Sequence, residues 1–361
     1  MQKKLIAMAV AAISAAPAFA ADSSVTIYGL VDGGLTYRTG NYNNAVGSRF
    51  GIDEGIGNGS RLGVRGSEQI GDVKGLFVLE AGIATDTGAS RQGSTAVANR
   101  TWGRQTYVGL EFQNVGQVTL GRQFTNLYDM YASVDPFGLG NVGQQNNIFT
   151  HVTSRYDNAV KFKSAWWGGV FGVDAIYSTN IDGSEVTLPD GTPQTDVRAW
   201  QLYPRVKFGL ATFTFGYQEQ KKREQDLKNK SFDAGLVLNF SALTVDGGYS
   251  RLNYEANKQA GAAKHDRVLL GVNVPLGNFT LRGSYNVSKA RTDDGTPEAK
   301  AQQVAIGARY ALSKRTDFYT TYSAIFTNDA ADAAAYYTVG DASGAGLGYK
   351  RAFDLGIRHV F

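Results

Sequence analysis

The stretch Phe279–Val287, FTLRGSYNV, puts Phe279, Leu281, Gly283, Tyr285 and Val287 on one alternating set and Thr280, Arg282, Ser284 and Asn286 on the other. A period of two is that of a β-strand with one apolar and one polar face. Trp200, Leu202, Pro204, Val206 and Phe208 alternate in the same way with Gln201, Tyr203, Arg205 and Lys207. So do Phe353, Leu355, Ile357, His359 and Phe361 with Asp354, Gly356, Arg358 and Val360.

Extended along the chain, this pattern gives sixteen segments, starting near Val25, Arg61, Leu76, Trp102, Gln117, Ala159, Phe171, Val197, Ala211, Ser231, Leu243, Arg267, Phe279, Gln302, Thr316 and Ala352. Long polar connections such as Thr39 to Ser60 alternate with short ones: GDVKG at Gly71, NVG at Asn114, WWGG at Trp166, FGLA at Phe208, FSAL at Phe240, PLGN at Pro275 and LSKR at Leu312. A soluble sandwich has no reason to gather its long loops at one end. A barrel in an outer membrane does, because tight periplasmic turns occupy one rim and external loops the other. Closure is required, since an open sheet edge in lipid strands backbone donors and acceptors at several kcal/mol each. The expected fold is therefore all-β: a transmembrane antiparallel up-and-down barrel of sixteen strands, wide enough for an aqueous channel.

Composition narrows the alternatives. The 361 residues include 44 glycines, three histidines and no cysteine, which removes disulfide frameworks and thiolate metal sites. Past the N-terminus no run of about 18 apolar residues exists to form a spanning helix. Residues 1–20, MQKKLIAMAVAAISAAPAFA, read as a cleaved signal peptide: Lys3 and Lys4, an apolar run, then Ala18-Phe19-Ala20. Residues 21–361 then form a single barrel domain. Loss of the two lysines leaves 34 basic against 32 acidic residues, which gives no basis for nucleic-acid binding. Phe112, Trp166, Trp167, Phe171, Phe208, Phe213, Phe240, Phe279, Phe318 and Phe361 fall beside the short turns, as an interfacial girdle would.

Five motifs, SSVTIYGLVDGGL at Ser23, SRLGVRGSE at Ser60, YVGLEFQNVGQVTLGRQ at Tyr107, SRYDNAVKF at Ser154 and the closing FDLGIRHVF, together resemble the general diffusion porins of Gram-negative bacteria. The likeness is greatest to the β-proteobacterial type found in Burkholderia, Bordetella and Neisseria relatives. It covers the mature chain and implies a homotrimer of barrels in outer-membrane lipid and lipopolysaccharide. It also implies a terminal Phe361 recognised by the outer-membrane barrel assembly machinery, and passage of small hydrophilic solutes and ions without a cofactor.

The resemblance further implies that the third long loop, about 126–155, folds into the lumen and faces a basic wall. That loop carries Asp129, Asp135 and Phe137; the matching wall positions are Arg61, Arg65, Arg104 and Arg155, with Arg122, Lys161, Arg205, Arg282, Arg309 and Arg358 as further lumen basic groups. Asp135-Pro136-Phe137-Gly138 departs from the family's proline-glutamate-phenylalanine-glycine, so the loop brings few carboxylates to the wall. Rings of arginine favour anions, and a pore about one Debye length across (~8–10 Å) does not screen them fully. Inward acids Asp32, Asp174, Asp233, Asp246 and Asp354 oppose this, and the arginines would then be mere ion-pair partners. Arg104 raises a parity conflict, because it shares parity with the apolar set Val108, Leu110 and Phe112; either a bulge or contact with a neighbouring subunit would resolve it.

A substrate-specific channel, for a sugar or an anionic nutrient, is the alternative function. A barrel enzyme is a remote one: His151, placed in the inward loop, lacks a serine partner motif, and His265 is placed in an external connection. KKREQDLKNK at Lys221 reads as a solvated external loop able to meet lipopolysaccharide phosphates. Gly138, Gly140 and Gly143 lack the lysine-serine pair and helix of a phosphate-binding loop. The Ala-rich segment from Asp329 is expected to start as a short helix.

Overall fold

The computed structural model describes residues 23–40, 47–92, 100–149, 152–181, 183, 197–222, 226–255, 262–292, 297–334 and 349–361. The signal-peptide segment and His151 lie outside these residues. One half of the wall is built from β1 (Ser23–Thr39), β2 (Arg49–Glu54), β3 (Arg61–Ile70), β4 (Val73–Ile83), β5 (Ser90–Arg91), β6 (Gln105–Phe112), β7 (Gly116–Phe124) and β8 (Arg155–Ser164). The other half holds β9 (Phe171–Ser178), β10 (Val197–Phe208), β11 (Ala211–Lys222), β12 (Leu227–Asn239) and β13 (Thr244–Glu255). It continues with β14 (Ala262–Leu276), β15 (Phe279–Thr292), β16 (Ala299–Ala311), β17 (Thr316–Thr327) and β18 (Arg351–Val360).

These eighteen segments make sixteen staves, because β2 and β3 pair with successive stretches of β1 and β5 and β6 with successive stretches of β4. All neighbours are antiparallel, and β18 pairs with both β17 and β1, which closes the barrel. At the seam the Phe361 N–H donates to Gly29 O at 3.1 Å and the Gly29 N–H to Phe361 O at 3.0 Å. A side chain at Gly29 would collide with the Phe361 ring, so glycine is what lets the chain end lie flat there.

The alternation read from the sequence separates the two faces. Trp200, Leu202 and Phe208 are 41%, 46% and 80% exposed, whereas their neighbours Gln201 and Tyr203 are 2% and 1% exposed. Phe208, Phe240, Phe279, Phe318 and Phe361 form the exposed row at the short turns, and Trp200, Phe232 and Phe326 stand near the other rim. Eight residues separate Trp200 from Phe208, about 27 Å at ~3.4 Å per residue, which on a strand tilted ~40° spans an apolar band about 20 Å high. Trp166 is not part of the girdle: its ring lies under Arg205 (4.6 Å) and Lys207 (4.0 Å), which share the inward alternation set. His265 likewise sits in β14, buried, rather than in an external connection. The Ala-rich segment does begin as a short helix, Asp329–Ala334.

The apolar core lies inside the lumen. The third long loop folds inward as helix α1 (Asn126–Val134) and a 3-10 turn at Gln145–Asn147, and it buries Leu127, Met130, Tyr131, Val134, Ile148 and Phe149 with wall residues Tyr203 and Leu269. Each such side chain contributes about 1.5–3 kcal/mol on burial. The inner wall under the loop carries small residues where it is seated: Met130 lies over Gly235, Val134 over Gly248, Pro136 over Gly271 and Phe137 over Gly307.

Candidate functional site

The neck of the loop is closed by backbone and side-chain hydrogen bonds. Thr125 N–H donates to Ser154 O (3.0 Å), Thr125 Oγ1 donates to Thr153 O (2.9 Å), and the same hydroxyl caps α1 by accepting from Tyr128 N–H (3.1 Å). Gln201 Oε1, from β10, takes the N–H groups of Asn126 (2.7 Å) and Leu127 (3.3 Å). Farther along, Asp354 of β18 accepts from Val142 N–H (2.9 Å), and Gln303 of β16 donates to the carbonyls of Gly143 (2.7 Å) and Gln144 (3.1 Å). The loop therefore lies along β9–β18 and leaves the wall of β1–β8 facing the open lumen.

Asp135 is a fastening of the loop itself. Its carboxylate accepts from the N–H groups of Phe137 (3.0 Å), Leu139 (3.3 Å) and Gln145 (3.1 Å). Burial pushes its pKa up to about 6, against the pull of those three donors. Asp129 is likewise engaged, with Lys161 Nζ at 2.6 Å. Phe137 is buried, under the Arg282 guanidinium at 5.1 Å.

On the facing wall, Arg104 donates from Nε to Glu80 Oε1 at 2.7 Å, both groups buried, while Tyr28 holds the other Glu80 oxygen at 3.0 Å. The parity conflict disappears because β6 begins at Gln105: Arg104 occupies a bend, its N–H donates to Glu80 O at 3.1 Å, and the strand alternation does not extend to it. Neither a contact with another subunit nor a bulge is needed. Arg61 donates to Gly59 O at 2.9 Å, Arg65 lies 5.1 Å from the Tyr28 ring, and Arg155 lies 4.2 Å from Phe124, which stacks on Tyr128 of α1 at 4.3 Å. Among the described residues Arg61, Arg65 and Arg155 form no ion pair, and Arg61 and Arg155 are each within electrostatic reach of Arg104. Three guanidiniums thus gather around the Glu80 carboxylate, and Arg65 lies over the ring of Tyr28, whose hydroxyl shares it.

The remaining basic groups differ. Arg122, beside the bulge between Gly121 and Gln123, is tied to Asp157 (2.5 Å) and to Gly103 O (2.7 Å). Arg205 pairs with Asp174 (2.8 Å), and Arg309 (2.9 Å) and Arg358 (2.7 Å) share Asp317. Of these, Arg205 pairs with an inward acid read from the sequence, whereas Arg122, Arg309 and Arg358, like Lys161 and Arg104, pair with other acids, Asp157, Asp317, Asp129 and Glu80. Arg282 forms no ion pair among the described residues; its Nη2 donates to Asn141 Oδ1 at 3.4 Å.

One lumen feature is not legible in the strand alternation. Between β2 and β3, residues 55–60, GIGNGS, turn inward and meet the tip of the loop, where Asn141 N–H donates to Ile56 O. Asp32 holds this segment through the N–H groups of Gly57 (3.2 Å) and Asn58 (3.0 Å), and also accepts from Tyr319 OH (2.6 Å). The glycine spacing was the available signal: at Gly57 a side chain would strike Asp32 and Tyr319.

Comparison with known proteins agrees with this architecture. The chain is 30% identical to an outer membrane porin protein of Bordetella pertussis, over all of both chains. Its fold is similar to that of an anion-selective porin from Comamonas acidovorans, with TM-score 0.73, 23% identity, and 94% of this chain and 100% of that one covered. It is also similar to OmpT of Vibrio cholerae in a trimer form, with TM-score 0.69, 16% identity, and 94% and 99% covered. The family model described as Gram-negative porin matches residues 7–331. With its closed sixteen-stave barrel and inward loop, the chain belongs to the Gram-negative porin family, whose members form channels in the outer membrane.

Proposed function

We propose that this porin passes small hydrophilic solutes by diffusion and prefers anions, and that Arg61, Arg65 and Arg155 set the preference. The observation that carries this reading is the set of three guanidiniums without ion-pair partners among the described residues, Arg61 and Arg65 on the wall opposite the loop and Arg155 at its neck, while the loop's own acids Asp129 and Asp135 are consumed by Lys161 and by loop N–H groups. Fixed positive charge in a narrow, partly desolvated passage attracts anions and raises their local concentration. The Comamonas porin of similar fold, which is anion-selective, supports the same sign. No chemical step or cofactor enters, and solutes cross down their own gradients.

The assembly we propose is a homotrimer, in keeping with the trimer form of the Vibrio relative. Its packing surface is the outer face of β1–β7, where the aliphatic Val25, Ile27, Leu62, Val108, Leu110 and Leu120 are exposed between the aromatics Tyr37 and Phe50 near one rim and Phe112 near the other. Export through the N-terminal signal, recognition of Phe361 by the assembly machinery, and contact of the external rim with lipopolysaccharide complete the reading.

The deciding experiment is the reversal potential of the purified channel in a planar bilayer under a KCl gradient. Anion selectivity that collapses in Arg61→Ala/Arg155→Ala is expected, and cation selectivity of the unmodified protein would refute the proposal. Arg104 is left intact in that test, since removing it strands the buried Glu80 carboxylate at a cost of about 3–5 kcal/mol.

A further inference from the structure

Away from the facing wall, Arg282, Arg309 and Arg358 converge on a cavity of about 310 Å³ whose other walls include Asn58, Asn141 and Phe137. The cavity lies toward the short turns. Arg309 stands opposite Thr280, the second residue of β15; Asp317 is the second residue of β17; and Arg358 lies three residues before the terminal Phe361. The loop roofs it on the other side, through Phe137 under Arg282 (5.1 Å) and Asn141 against the same guanidinium (3.4 Å). The inward segment at Gly57 and Asn58 separates it from the wall that carries Arg61 and Arg104.

Its charge is not balanced locally. Asp317 Oδ2 accepts from Arg309 Nη2 (2.9 Å) and from Arg358 Nη2 (2.7 Å) and Nε (3.1 Å), so one carboxylate serves two guanidiniums. Arg358 Nη1 is aimed by Asn58 Oδ1 at 2.5 Å. Arg282 has no ion pair, and its Nε is buried without a hydrogen-bond partner among the described residues. The other nearby acids are occupied: Asp135 by three loop N–H groups, Asp354 by Val142 N–H and Asn141, and Asp32 by Tyr319 and the N–H groups of Gly57 and Asn58.

We propose that this cavity is a binding site for a compact, doubly charged oxyanion entering from the periplasmic mouth. Guanidinium forks held by Asp317 and Asn58 present fixed pairs of N–H donors, the geometry that matches phosphate or carboxylate oxygens bidentately. An ion bound there would be concentrated at the mouth and would obstruct its neighbours, so the site deepens the anion-preference reading and rests on it.

The test is single-channel recording in KCl with inorganic phosphate added to each chamber in turn. A saturable reduction of current is expected, reached at lower phosphate from the periplasmic side. In Arg282→Lys/Arg309→Lys the half-blocking concentration should rise about tenfold, the loss of roughly one charge-assisted hydrogen bond. The sign of the KCl reversal potential is kept in that variant, because both charges remain. A block that is absent, or equal from both sides and linear in phosphate, overturns the proposal. So does a block that survives the lysine variant and vanishes in Arg61→Gln/Arg155→Gln. Cation selectivity in KCl beside a lysine-sensitive block would instead overturn the anion preference proposed for Arg61, Arg65 and Arg155 and support the phosphate site.

Discussion

The two halves of the barrel wall are built from the same alternating strands and do opposite things. From β9 to β18 the inner surface is a seat: Gly235, Gly248, Gly271 and Gly307 make room for the loop, and Arg205, Arg309 and Arg358 are neutralised in part by acids within the wall. From β1 to β8 the inner surface is open, and Arg61, Arg65 and Arg155 stand without ion-pair partners among the described residues. The outer faces differ in degree, with Trp200, Phe208, Phe232 and Phe279 among many exposed aromatics on the seat half, and Val25, Ile27, Val108 and Leu120 with Tyr37, Phe50 and Phe112 beside them on the strands of the open half. The charge that acts on a solute is therefore set by which arginines the loop and the inward acids leave unengaged, and a count of lumen arginines misjudges it.

The most disruptive way to break this contrast is to spoil the seat. Gly271→Leu drives a side chain into Pro136, and overpacking of this kind costs about 1–3 kcal/mol. The loop should leave the wall, and single-channel conductance should rise at least about twofold; an unchanged conductance would show that the loop does not set the narrowest point. Next in size is the removal of the open half's charge. Arg61→Gln/Arg155→Gln should bring the anion-to-cation permeability ratio close to unity, while Arg205→Gln, whose partner is Asp174, should shift it much less. Equal shifts in the two variants would erase the distinction between paired and unpaired arginines.

A third expectation concerns the outer faces. Ile27→Arg on the open half should lower the temperature at which the proposed trimer dissociates in detergent gels, and Phe232→Arg on the seat half should leave it within a few degrees. The opposite order would move the subunit contact to the aromatic side. The smallest effect is that of pH. Asp135 titrates at about 6 in the folded loop, above the ordinary carboxyl value of about 4, so its charged form is the disfavoured one there. Its cost to the folded state is fully present above about pH 6 and is relieved as the pH falls toward about 4. Anion selectivity should accordingly increase modestly between pH 7.5 and 5 as this negative charge disappears, and the step should be smaller in Asp135→Asn. A pH-independent reversal potential in the unmodified channel would rule out Asp135 as a contributor.

Much of this was legible in the sequence, for identifiable reasons. The alternation of Phe279–Val287 and its counterparts located all sixteen staves within a few residues, because a strand between lipid and water must change polarity at every residue. Gly271 and Gly307 were visible as glycines, yet their purpose depends on Pro136 and Phe137 arriving from more than a hundred residues away. The parity of Arg104 and the outward placing of Trp166 fail for a common cause. Each lies where a strand gives way to a bend or turn, and there parity no longer dictates the face.

The sequence by itself determined the barrel, its rims and most of the charged side chains that face its lumen, since all three follow from local alternation and loop length. Only the tertiary structure decided which of those charges remain unengaged. Pairings such as Arg104 with Glu80, Lys161 with Asp129 and Arg358 with Asp317 join residues far apart in the chain, and the inward turn at residues 55–60 is held by Asp32 and Tyr319 from two other strands. Electrostatic energies fall off with distance in space and take no account of separation along the chain, so the selectivity of the passage becomes readable only once the barrel has closed.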